Sequence, residues 1–270
     1  MGRIGRSFQL VGQSSRILMQ DKELMALPLI SGTIIVGVVA SFAFGFGLDA
    51  SSVERHGPDV YLPFFVMYVA TYAIGIFFQA AVVAGATERM RGGNPTVGSA
   101  LAAAGRRLGP ILMWAVVAGT VGMVIRAIHD RVSFVGKIIA RLIGAGWSLA
   151  TLFVVPVLVL EEHSIGQSFT RSVSVFTQTW GETVVGGSSL GAAAVCAWVT
   201  LVAVVGLLAY AGAGAIALMV FGAGVIFLML FFSALQGVYV ALLYRYATEG
   251  HTTSGLDGDL LKQAFVPKGR

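Results

Sequence analysis

Leu24-Met-Ala-Leu-Pro-Leu-Ile-Ser-Gly-Thr-Ile-Ile-Val-Gly-Val-Val-Ala-Ser-Phe-Ala-Phe-Gly-Phe-Gly-Leu48 contains no charged residue over 25 positions. A helix needs about 20 predominantly apolar residues to cross the roughly 30 Å hydrocarbon core of a bilayer. The run therefore reads as a membrane span. Five more runs are apolar over a comparable length, at residues 61–87, 110–128, 138–160, 184–208 and 215–243, with Arg126 and Arg141 as their only charges. The last two are separated by Tyr210-Ala-Gly-Ala-Gly214 without a charge. Strict apolar–polar alternation, the signature of a membrane β-barrel, is missing from these runs. The expected fold is all-α, a polytopic membrane protein of six transmembrane helices.

Composition agrees. The chain is 56% hydrophobic and 11% charged, against about 25% charge in soluble domains. No long stretch is polar enough for a soluble domain. The 35 glycines suit helices that approach closely in lipid. The single cysteine, Cys196, excludes an intramolecular disulfide. The net charge of +5 is spread over loop ends, where it reads as a topology signal and an affinity for anionic headgroups. Nucleic acid is not an expected partner. The first apolar run is too long for the core of a cleavable signal, and Arg6 stands where a myristoylation motif requires Ser or Thr.

Basic residues set the expected orientation. Thirteen of the 18 Lys and Arg residues fall on one side, including Arg3, Arg16, Lys22, Arg89, Arg91, Arg106, Arg107, Arg171 and Arg245. That side is expected to be cytoplasmic, with both termini inside and the protein in the cell (plasma) membrane. The outer side holds Arg55 and a group of four, Arg126, Arg131, Lys137 and Arg141. These four run against the trend. They are expected either to pair with Asp49, Glu54, Asp59 or Asp130, or to meet an anionic lipid headgroup or the acidic surface of a partner.

Three segments on the inner side are amphipathic, at residues 3–20, 97–108 and 165–180. Such helices lie in the headgroup plane, and each precedes a pair of spans. The chain thus reads as one membrane domain, residues 1–250, built from three hairpins each preceded by an amphipathic interfacial helix. The repeat units are 1–95, 96–163 and 164–250, and a cytoplasmic tail follows at 251–270. Arg6-Ser-Phe-Gln-Leu-Val-Gly-Gln-Ser14 resembles Arg171-Ser-Val-Ser-Val-Phe-Thr-Gln-Thr179, and Gln79 and Gln236 each stand fourteen residues before a glycine. Units that all start and end inside would be parallel repeats about an axis normal to the membrane.

Several stretches resemble a known group. They are Arg6-Ser-Phe, Asp21-Lys-Glu-Leu, Phe153-Val-Val-Pro-Val-Leu-Val159, Trp180-Gly-Glu182, Ser233-Ala-Leu-Gln-Gly237 and Leu243-Tyr-Arg-Tyr-Ala-Thr248. Together they look like an uncharacterised family of actinobacterial integral membrane proteins, a domain of unknown function. That family is more distantly similar to the membrane domain of glycerophosphodiester phosphodiesterases. The phosphodiesterase domain is absent here, so the resemblance implies no reaction.

Motifs for chemistry are sparse. Gly187-Ser-Ser-Leu-Gly191 matches G-x-S-x-G, but a nucleophile elbow joins a strand to a helix and this stretch lies in an apolar span. It equally matches the GxxxG packing motif. Glu161-Glu-His163 is the densest Glu/His group and reads as a solvated helix end. No P-loop or dinucleotide fingerprint occurs, and no catalytic, cofactor or metal site is expected. Gln79 and Gln236 are amides within apolar runs. In lipid they must find polar partners, either each other's helices or a polar cavity. The functional expectation is a non-catalytic accessory or scaffold subunit that docks another membrane protein or a second copy. The alternative is a carrier of a lipid or small amphiphile, using a cavity between the three hairpins.

Overall fold

The computed structural model describes residues 3–46, 61–180 and 189–249. Among them ten helices form and no strand does. They are α1 (Arg3–Gln20), α2 (Glu23–Phe46), α3 (Tyr61–Met90), α4 (Val97–Gly105), α5 (Leu108–Arg131), α6 (Phe134–Ala150), α7 (Val154–Leu160), α8 (Ile165–Trp180), α9 (Ser189–Tyr210) and α10 (Gly214–Glu249). Six stretches are long and apolar enough to cross a membrane: α2, α3, α5, α6 with α7, α9 and α10. At about 1.5 Å per residue, α3 and α10 reach about 45 and 54 Å. Both are longer than a hydrocarbon core is thick, and Glu88 and Arg89 sit at the end of one and Arg245 near the end of the other.

Burial is concentrated at one end of the bundle, the end that carries α4 and α8. We call this the capped end. In α2 the buried residues, among them Leu24, Leu27 and Ser31, stop at Ser31. In α3 they start at Ala73 and become continuous from Ala80 to Thr87. In α10 they run almost unbroken from Ala234 to Tyr244. The fully buried Phe153, Leu158, Ile111, Leu235 and Leu243 join this core. Toward the opposite, open end the spans expose large apolar side chains such as Val36, Val124, Leu142 and Leu218. In lipid this carries no penalty, because acyl chains are as apolar as the side chains. Hydroxyls there bond back to their own helices, Thr33 to the Leu29 carbonyl at 2.9 Å and Ser41 to that of Gly37 at 2.7 Å.

Close approach at the capped end depends on two glycines. A Cβ on Gly85 would lie 2.6 Å from Leu24 Cδ2, and one on Gly237 would lie 2.6 Å from Val82 Cγ1. The first contact joins the start of α2 to the end of α3, so these neighbours run antiparallel. Trp114 near the start of α5 stacks on Trp147 near the end of α6, with ring centroids 6.0 Å apart, so that pair is antiparallel too. Gly92 (φ +85°) ends α3 and Gly212 (φ +77°) makes the turn from α9 to α10, both in the left-handed region that glycine enters without strain.

The amphipathic segments are helices with close to the expected bounds. Their buried faces lie on protein: α1 packs on α9 and α10, α4 on α3, and α8 on α7. Val11, Ser14, Ile17 and Leu18 form the buried stripe of α1, and Ser168, Ser172 and Val175 that of α8.

The fourth span departs from expectation. The continuous helix read at 138–160 is broken at Thr151–Phe153. Pro156 lacks an N–H and its ring crowds the carbonyl four residues earlier, so helix geometry fails just upstream. Ser172 of α8 seals the break. Its hydroxyl accepts the Phe153 N–H at 3.1 Å and donates to the Ala150 carbonyl at 2.7 Å.

Candidate functional site

Four polar clamps tie the capped end together. Asp21, 6% exposed, takes a two-pronged ion pair from Arg89, with Nη2 to Oδ1 at 2.6 Å and Nε to Oδ2. This joins the α1–α2 junction to the end of α3. Glu23 accepts the Val97 N–H at 3.2 Å, and Glu88 accepts the Ser99 hydroxyl at 3.0 Å. Those bonds hold α4, whose first turn carries a reciprocal Thr96–Ser99 capping box. Arg107 donates to the carbonyls of Leu158 at 2.9 Å and His163 at 3.0 Å. Glu161 accepts Arg171 Nε at 3.2 Å and the Tyr244 hydroxyl, linking α7, α8 and α10. Hydrogen bonding to Glu161 raises the Arg171 guanidinium above its ordinary pKa.

Glu161 is therefore a structural cross-link, and His163 also stands against it, with Nε2 3.8 Å from Oε2. His163 Nδ1 lies 2.8 Å from the Glu161 carbonyl. Glu162 is exposed and held at φ +55°. Among the described residues no three His, Cys, Asp or Glu side chains stand where they could hold one metal ion. Ser189 opens α9 and Gly191 follows within it. Gly187 lies outside the described residues. Among the described residues, a Cβ on Gly191 would meet nothing within 4 Å.

The group of four cations lies at the open end. Arg126 and Arg131 are on the last turns of α5, and Lys137 and Arg141 are one turn apart on α6. All four are exposed. Among the described residues no carboxylate pairs with them, and Asp130 instead lies 3.4 Å from His129 Nδ1. Asp49, Glu54, Asp59 and Arg55 lie outside the described residues, as does the segment 251–270.

A groove of about 820 Å³ opens where α2, α3 and α10 diverge. α2 contributes Ser31, Gly32 and Thr33, α3 contributes Thr71, Tyr72, Gly75 and Gln79, and α10 contributes Ile226, Ser233 and Gln236. The two glutamines singled out in the sequence thus meet on one wall system. Val82 and Gly237, in contact at the helix crossing, close the groove just beyond them. Gln79 is half-buried and Gln236 exposed. Among the described residues neither side-chain amide bonds to the facing helix. Thr71 and Thr33 spend their hydroxyls on their own helices. Among the described residues no Asp, Glu, Lys, Arg or His lines the groove.

The corresponding crossing between α3 and α5 is filled. Tyr68 and Tyr72 stack with centroids 5.9 Å apart, and a Cβ on Gly119 would lie 3.5 and 3.6 Å from them. Sequence reasoning found the glutamines because amides stand out in apolar runs. It missed the hydroxyl-bearing Ser31, Thr71 and Ser233, which are unremarkable residues in membrane helices.

Neither a curated protein nor a solved structure matches the chain. Nothing in these comparisons supports the narrower likenesses, to actinobacterial proteins and to the membrane domain of glycerophosphodiester phosphodiesterases. The match that exists spans the groove walls on α3 and α10, the broken fourth span and the Glu161 cross-link. Over residues 59–255, most of its length, the chain matches and therefore belongs to a family of unknown function, DUF6159.

Proposed function

We propose that this protein is a non-catalytic multi-pass protein of the cell membrane that holds a lipid-like guest in the groove between α2, α3 and α10. The observation that carries the reading is the pair of unpartnered amides, Gln79 and Gln236, on the walls of one 820 Å³ groove. Ligand sites are typically concave, about 300–1,000 Å³, mostly apolar, with a few convergent polar groups. Unpaired amides in hydrocarbon are unfavourable, so a guest that bonds them is stabilised there. In this arrangement the capped end faces the cytoplasm, with both termini inside.

The three-unit organisation supports this placement. α1, α4 and α8 each pack on the last helix of the unit before, with the third unit preceding the first. Those contacts support the reading of parallel repeats at 1–95, 96–163 and 164–250, which would pack in such a cyclic pattern. The groove then falls where the first unit meets the third, and repeat interfaces near the midplane are where transporter sites lie. Gln79 and Gln236 occupy related positions on the second helices of those units.

A groove-filling variant tests the reading. A Cβ on Gly75 meets nothing within 4 Å although the residue lines the groove, and Gly37 is equally open but does not line it. Gly75→Trp should strip a lipid that co-purifies from native membranes, and Gly37→Trp should leave it. Equal retention by both variants contradicts the proposal.

A docking role is the second reading. It is favoured by α9, where no described residue is buried and Val195, Val199 and Leu207 face outward. A stoichiometric membrane partner lost on substitution of Val199 would support it, and that result is independent of Gly75.

A further inference from the structure

The chemistry of the guest can be read from the groove, given that the groove holds a lipid-like molecule at all. We infer that it takes an uncharged lipid bearing carbonyl or hydroxyl oxygens, seated near the bilayer midplane, and not a phospholipid headgroup. Depth is the first argument. Gln79 lies ten residues before Arg89 and Gln236 nine before Arg245, so each amide is about 14–15 Å along its helix from the charged end. That is about half the hydrocarbon thickness of roughly 30 Å. The groove runs from there toward Thr71 and Ile226, which stand 18 and 19 residues before those charged ends, about 27–29 Å away, so it extends from the midplane toward the open-end side of the layer.

Charge is the second argument. A phosphate at this depth needs a cation or several converging donors, because an unpaired charge in hydrocarbon is strongly disfavoured. Among the described residues no Lys, Arg or His lines the groove. The nearest basic side chain on α3 toward the capped end, Arg89, is committed to Asp21.

The polar inventory is the third argument. Two amides offer both N–H donors and carbonyl acceptors, set in walls of Ile76, Phe78 and Leu230. That combination matches an ester, ketone or alcohol oxygen on a long apolar body. A phospholipid fits poorly, since its headgroup would either be drawn some 15 Å from the interface to reach the glutamines or stay at the open end and leave only acyl chain against them. A free acylglycerol or an isoprenoid ketone fits, since its oxygens are already uncharged.

The test compares two lipids that share their chains. Purified protein in detergent is titrated with 1,2-dioleoylglycerol or with dioleoylphosphatidic acid, and bound lipid is counted by native mass spectrometry. Wild type, the Gln79→Leu/Gln236→Leu double variant and Gly75→Trp are compared after circular dichroism confirms helix content. The inference expects dioleoylglycerol to bind, about tenfold more weakly in the double variant and not measurably in Gly75→Trp. Phosphatidic acid should show no dependence on either variant. If phosphatidic acid is displaced by Gly75→Trp and ignores the glutamines, the groove holds lipid but the uncharged-oxygen assignment is overturned. If Gly75→Trp changes neither titration, the groove itself is not the lipid site and both readings fall.

Discussion

Replacing Ser172 by alanine removes a hydroxyl that mends a broken backbone, and the consequence can be sized. Ser172 is fully buried, and so is Phe153, whose N–H it accepts at 3.1 Å. The same oxygen donates to the Ala150 carbonyl at 2.7 Å. Each buried polar group left without a partner costs about 1–3 kcal/mol. Ala150 is only partly buried, so its carbonyl is the cheaper loss. The sum is about 2–4 kcal/mol. For a chain of this size each kcal/mol lowers the melting temperature by about 2–4 °C, so Ser172→Ala should fall by roughly 4–16 °C. Thr177→Ala on the same helix is the control. Thr177 is exposed and bonds only the carbonyls of its own helix, so its loss should stay within about 0.5 kcal/mol. Thermal unfolding in one detergent, followed by circular dichroism, compares the two. Equal melting temperatures would refute the claim that α8 seals the fourth span.

Other consequences follow from the same contacts. Gly237→Ala puts a methyl 2.6 Å from Val82 Cγ1 and should destabilise by about 1–3 kcal/mol. Adding Val82→Ala should restore most of that loss in the same unfolding assay. Asp21→Asn weakens a charged hydrogen-bond pair with Arg89, and a loss of about 1.5–3 kcal/mol is expected. An unchanged melting point would show that this clamp does not hold the α1–α2 junction. Arg126→Gln with Arg141→Gln should weaken retention of anionic lipid about tenfold at low salt and less at high salt, since juxtamembrane cations contribute about 1 kcal/mol each. Salt-independent retention equal to wild type would assign these cations no lipid role. A reporter fused after Gly57 should appear outside the cell and one after Gly93 inside, and the same side for both would contradict the orientation.

Span count was legible because the bilayer imposes a length on every crossing helix, and runs such as 24–48 meet it with no charge. The amphipathic helices were legible from their spacing of apolar and polar residues, to the residue for α1 and α8. Which face of each span meets protein was not, because helices apolar all round look the same toward lipid and toward a neighbour. Hence nothing in the run 215–243 announced that Ala234–Tyr244 is packed while Ile226 and Met229 are open. Pro156 did carry a signal for the break in the fourth span, since a proline inside a helix disturbs the preceding turn. Its repair by Ser172 depends on α8 folding back from another part of the chain. The clamps were invisible for the same reason: Asp21 and Arg89 are 68 residues apart. The glutamines were legible as polar exceptions, but their convergence on one groove required the divergence of α2, α3 and α10.

Photo-crosslinking in living membranes addresses that groove most directly. Benzoylphenylalanine placed at Gly75, on the groove wall, is compared with the same probe at Val199, which is 62% exposed on α9. The account predicts one dominant lipid mass attached at position 75 and a mixture resembling the bulk membrane at position 199. The same bulk mixture at both positions, or a protein adduct at 75, would contradict it.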